Sequence, residues 1–150
     1  MSASPSMDIQ NIQVGNGLDV NRKGFTQLPA RAANGVVYTF GITPIDTETA
    51  QVMPGDIEFQ TRRVLDILSE VLAAAGSSLS RTLHATVYLR DIQGDYAGFN
   101  KAFDACFAHD PVPRTVVQAV IRSPVARVQI QIVALQDPGQ VARGTPLSPP

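Results

Sequence analysis

The chain has 150 residues, 44% of them hydrophobic and 17% charged, with a formal net charge of −1. That length suits one domain with a core of its own, and the apolar share excludes a disordered chain. The charge balance gives no general attraction to a polyanion such as nucleic acid, no apolar run reaches membrane-spanning length, and the single Cys106 excludes an intrachain disulfide.

Residues 1 to 7 read as a flexible N-terminus. No basic segment leading into an apolar stretch is present there, so no secretory signal is expected. A cytoplasmic location follows as the expectation, and a lone cysteine suits a reducing compartment. A single folded domain is expected over residues 8 to 137. Within it, NGVVYTFGITP (34 to 44) has turn residues at both ends around a β-branched and aromatic middle, which predicts a strand. PGDIEFQTRRVLDILSEVLAAAG follows, where Ile57, Thr61, Val64, Leu68, Val71 and Ala75 recur at spacings of three and four, with Leu65 and Leu72 widening the stripe. The spacing predicts an amphipathic helix of about five turns, N-capped by Asp56 and closed by Gly76.

TLHATVYLR (82 to 90) alternates, which predicts a strand with Leu83, Ala85, Val87 and Leu89 on one face. YAGFNKAFDACFAHD predicts a second helix burying Phe99, Phe103, Cys106 and Phe107. Pro111 and Pro113 close it off. Two strands finish the body, RTVVQAVI (114 to 121), which reads as buried, and ARVQIQIVAL (126 to 135), where Val128, Ile130, Ile132 and Ala134 share a face. The tail 138 to 150, with four prolines and two glycines, reads as flexible. Two long helices can cover only one face of such a sheet, so the fold class is α+β, a two-layer mixed sheet with both helices on one side. The other face meets solvent or another subunit. Arg127, Gln129 and Gln131 make part of it polar.

The word PVPRTVVQA places an arginine, Arg114, between a proline and the start of an apolar strand. Guanidinium is planar, permanently charged and able to grip a carboxylate through two parallel hydrogen bonds. Pro113 limits the backbone ordering needed for such a contact. An ion pair with an acid of its own or a neighbouring subunit is the alternative use.

Taken together, GFTQ (24 to 27), FGITPID (40 to 46), QTRRVLDILSEVLAAAG, TLHATVYLRDI, YAGFNKAF, PVPRTVV and VQIQIVAL resemble the Rid family, also called YjgF/YER057c/UK114. The likeness spans Gly24 to Leu135. It implies a chorismate mutase-like fold, a homotrimer with sites in the clefts between subunits, and hydrolysis of enamines or imines. It implies that Arg114 grips the substrate carboxylate, that Asn100 matches the family's site, and that Gly41 lets backbone approach a ligand. Other positions depart from the family. Gln129 stands where a catalytic glutamate is usual, and a glutamine amide can hold water but accepts no proton at neutral pH. Phe40 and Ile42 flank Gly41 in place of a serine and a glutamine, Phe25 replaces a tyrosine and Val116 a cysteine. The resemblance therefore implies a site that keeps its anion anchor and is less polar, suited to a larger, more apolar or cyclic imine acid. The alternative is that Phe25, Phe40 and Ile42 only fill the cleft and seal the trimer.

No cofactor is expected, since GxGxxG and Walker patterns are absent. No metal site is expected either, because His84 and His109 have no second ligand at metal spacing. Asp46 and Glu48 read as solvated loop acids, and Arg62-Arg63 as a wet helix face. Three readings remain: an imine or enamine deaminase, a small-carboxylate-binding or accessory protein that keeps Arg114 without hydrolysis, and, last, an endoribonuclease, a label some family members carry.

Overall fold

The computed structural model describes residues 8–19 and 27–140. Expectations for residues 1 to 7, Phe25 and the tail from 141 onward lie outside these, and Pro138–Gln140 form a short 3-10 turn. Six strands and two helices follow in the order β1 (Gln10–Ile12), β2 (Ala30–Ala33), β3 (Val36–Thr39), α1 (Ile57–Ala74), β4 (Thr82–Leu89), α2 (Ile92–Cys106), β5 (Arg114–Gln118) and β6 (Val128–Leu135). The spatial order is β1-β2-β3-β6-β4-β5. Only β4 and β5 pair in parallel, across the α2 crossover; the other pairs are antiparallel. The sheet is mixed, and the class is α+β, as expected.

Local chemistry explains where the elements begin and end. Asn34 and Gly35 both take positive φ (54° and 81°), the geometry of a tight two-residue hairpin turn joining β2 to β3. Asp56 caps α1 by accepting from the Phe59 N–H at 2.8 Å. At the other end Gly76 sits at φ 72°, with Gly76 N–H on the Ala73 carbonyl and Ser77 N–H on that of Leu72, a Schellman ending. The predicted α1 stripe is buried throughout. Val87, Leu89, Val128, Ile130 and Ile132 face it from the sheet.

Four expectations need correction. The predicted strand 34 to 44 ends at Thr39, whose hydroxyl accepts the Ile132 N–H at 2.9 Å and so replaces a ladder bond. The chain returns only at Ile42, bridging Ile130. In β4 a register shift between Thr82 and His84 turns Thr82 inward and leaves Leu83 43% exposed. Cys106 is exposed, and Ala102 takes its place in the buried stripe of α2. Finally, β5 is a half-exposed edge strand of five residues, not a buried one of eight.

Candidate functional site

Arg114 opens β5 opposite Ala85, so its side chain lies on the face that α2 covers. There its guanidinium stands 5.0 Å from the ring centre of Phe103 and 5.6 Å from that of Phe99. One Nη donates to Asp104 Oδ1 at 2.6 Å and the other to Asn100 Oδ1. Burial pulls the Arg114 pKa down, but hydrogen bonds with Asp104 and Tyr96 and the Asp104 charge outweigh it, leaving the group above its ordinary value. The guanidinium is therefore always charged, and an acid of its own chain already holds part of it. Asp104 is 63% exposed, against 22% for Arg114. The arginine is held in place while its acidic partner stays in water. Asn100, expected at the site from the resemblance, lies beside Arg114, and Val116, two residues on, packs half-buried against the core.

Gln129 belongs to a second region. A groove of about 780 Å³ runs between loop 43–52 and loop 121–125, lined by Phe40, Gly41, Thr43, Arg122, Ser123 and Gln129 among others. The break in the ladder after Thr39 sets Gly41 against Gln129: a Cβ on Gly41 would meet Gln129 Nε2 at 2.2 Å. Any side chain on Gly41 would push the amide from this position. Phe40 lines the groove, but Ile42 does not. It is 1% exposed and packs in the core, because its bridge to Ile130 puts it on the helix-facing side. Of three residues expected to make the site less polar, Phe25 is outside the described residues and only Phe40 faces the groove.

The two regions cannot meet within one chain. Arg114 pairs with Ala85, on the helix-covered face, while Gln129 pairs with Tyr88, on the bare face. The sheet stands between them. Among the described residues, no three His, Cys, Asp or Glu side chains gather to hold a metal ion.

Comparison with known proteins places the chain. The model of the endoribonuclease L-PSP family, which is the YjgF/Rid family, matches residues 21–136. The chain belongs to the Rid family. A Rid relative, 3-aminoacrylate deaminase RutC of Acinetobacter baylyi, is 35% identical over 71% of this chain and 84% of its own. A RutC family protein of Pyrococcus abyssi is 30% identical over 67% and 79%. Among solved structures, a YjgF family member from Neisseria meningitidis superposes with a TM-score of 0.71 at 31% identity, covering 87% of this chain and 97% of that one. A Rid family protein from Yersinia pestis gives 0.75 at 25% identity, covering 85% and 99%.

Against this Rid frame, several residues around the two regions went unread in the sequence. Gln60 is fully buried on α1. It donates to the carbonyls of Met53 (2.9 Å) and Val125 (3.1 Å) and accepts the Arg127 N–H (2.7 Å). It ties together both loops that frame the groove. Arg90 reads as an exposed strand end, yet it donates to the carbonyls of Ala126 (2.9 Å), Ile121 (2.9 Å) and Ser123. All but the Gln60–Met53 contact join residues more than 30 positions apart, and no short spacing announces them. Asp104 was legible as an acid four residues after Asn100, one helical turn on.

Proposed function

We propose that the chain hydrolyses an enamine or imine carboxylic acid to the keto acid and ammonia, in clefts formed between copies of itself. The observation that carries this reading is Arg114, a permanently charged guanidinium held against Phe103 and Asn100 at the protein surface, where its acidic partner Asp104 is itself exposed. A substrate carboxylate replaces Asp104 on the fork, exchanging one charge-assisted contact for another. The 35% identical relative named as a 3-aminoacrylate deaminase supports the same reaction class. In the hydrolysis an enamine first tautomerises to the imine. Water then adds to the imine carbon, its proton passes to nitrogen, and the C–N bond breaks to release ammonia. Gln129 positions that water through its amide and takes no proton, so rate comes from orientation more than from base catalysis.

Because the sheet separates Arg114 from Gln129, a site using both draws them from different copies. The uncovered face supports assembly: Tyr38 (55% exposed), Val117 and Leu135 stand on it as large apolar groups. A homotrimer, the arrangement implied by the family resemblance, fits this face. No described helix is long and apolar enough to cross a membrane, and a cytoplasmic setting suits the free thiol.

Gln129 favours one second reading, a protein that binds such acids without hydrolysing them. Ammonia release from imines generated in situ by an amino-acid oxidase separates the two. Acceleration over buffer that disappears in Arg114→Ala supports the hydrolase. No acceleration with any imine favours the binding role.

A further inference from the structure

Three arginines surround the loop between β5 and β6, and two of them are engaged. Arg90 holds the carbonyls of Ile121, Ser123 and Ala126. Arg127 places one Nη on both oxygens of Asp95, at 3.1 and 3.2 Å. Arg122 makes no hydrogen bond or ion pair with any described residue, yet it lines the groove that contains Gln129. Its backbone is bracketed by the Ile121 and Ser123 carbonyls, both held by the same Nη of Arg90. The guanidinium therefore projects from a fixed base, which lowers the ordering needed to bind with it.

Nothing in the groove neutralises it. Among the described residues, Arg122 is the one charged group in the lining, and its polar neighbours there include the hydroxyls of Thr43 and Ser123 and the amide of Gln129. Asp46, in the facing loop, is not part of the lining, and its Oδ1 accepts the N–H groups of Glu48 (2.8 Å) and Thr49 (3.3 Å). A cleft of one charge sign gathers ligands of the other. We infer that Arg122 is an anion anchor, and that the imine acid of the proposed reaction carries a second carboxylate, held by Arg122 while Arg114 takes the first. The inference rests on the proposed function for its first carboxylate. A volume of about 780 Å³ has room for more than a three-carbon acid. Gln129 fits the same logic, since an uncharged amide there offers N–H donors and does not repel a dianion.

Stable keto acids test this without turnover. Calorimetry on the full chain would compare 2-oxoglutarate with 2-oxopentanoate, which share a five-carbon chain and differ by one carboxylate. The dicarboxylate should bind about tenfold tighter, the worth of one charge-assisted hydrogen-bonded contact. The preference should vanish in Arg122→Gln, survive in part in Arg122→Lys, narrow in Gln129→Glu, and shrink as salt rises. Equal binding of the two acids, binding of neither, or a preference that persists in Arg122→Gln would overturn it. Ammonia release from the imines of glutamate and norvaline keeps the two proposals apart. The predicted preference in binding without accelerated hydrolysis sinks the deaminase and leaves the anchor. Hydrolysis of both imines at equal efficiency, with no preference in binding, sinks the anchor and leaves the deaminase.

Discussion

Arg114 and Gln129 stand on opposite faces of one sheet, three β4 positions apart: Arg114 is registered on Ala85 and Gln129 on Tyr88. If both serve one reaction, they come from two copies of the chain. Arg114→Ala and Gln129→Ala should then be inactive alone and complement each other when refolded together. An equimolar mixture should recover about a quarter of wild-type ammonia release, since each site draws one residue from each of two copies. Recovery no better than the sum of the separate variants would rule out shared sites.

If Arg114 takes a substrate carboxylate as proposed, Asp104 competes for the same guanidinium. Asp104→Asn should lower KM for an imine acid severalfold and leave kcat unchanged, because only ground-state competition is removed. Its stability should change by no more than about 1 kcal/mol, given how exposed the carboxylate is. A raised KM in steady-state kinetics would mean that Asp104 orients the arginine and does not compete for it.

In the proposed reaction, Gln129 would limit proton transfer. A carboxylate at this position can take a proton from the attacking water, so Gln129→Glu should raise kcat on the order of tenfold or more. The gain should be present at neutral pH and fade in acid as the introduced carboxylate protonates. A flat pH profile with unchanged kcat would show that positioning alone sets the rate.

Gln60 supports the groove from beneath. Gln60→Leu strands the carbonyls of Met53 and Val125 and the N–H of Arg127, which should destabilise the fold by about 3 kcal/mol. At this chain length that lowers Tm by roughly 6–12 °C. Calorimetric unfolding reads it directly, and a fall below about 2 °C would show that water replaces the amide.

Cys106 is exposed overall yet lines a cleft of about 380 Å³ between α1 and α2. Burial of the thiol, and then the Asp66 charge, push its pKa up. A raised pKa leaves less thiolate at neutral pH, so alkylation at pH 7.5 should be severalfold slower than for a free thiol and should accelerate into the alkaline range. Asp66→Asn should speed it. Equal rates for wild type and variant would remove Asp66 as a cause.

The α1 stripe, its Asp56 and Gly76 ends and the Val128–Ile132 alternation were legible because each is a local pattern with one period. Residues 34 to 44 were not read as they fold, since the ladder ends where a side chain, the Thr39 hydroxyl, satisfies a backbone N–H 93 positions away. The short β1 and β2 carry too little periodicity to stand out. α2 begins at Ile92, capped by Asp91, because Gly94 fits inside its first turn against the capping carboxylate instead of ending it. At the site, Arg114 and Asn100 were each named from the resemblance, but their contact across adjoining elements was not read. Ile42 misled because strand parity alone cannot tell which side a residue takes after a break. The roles of Gln60, Arg90 and Arg122 depend on loops meeting across the fold, which a linear reading does not contain.

The placement of β5 at the sheet margin has a consequence for proteostasis. Its outer backbone pairs with no described strand, and such a margin invites another chain to add to it and seed aggregates. Brevity, with Pro113 immediately before it, keeps that invitation short. Pro113 therefore bears on colloidal behaviour, and a replacement that lengthened this strand would exchange solubility for order.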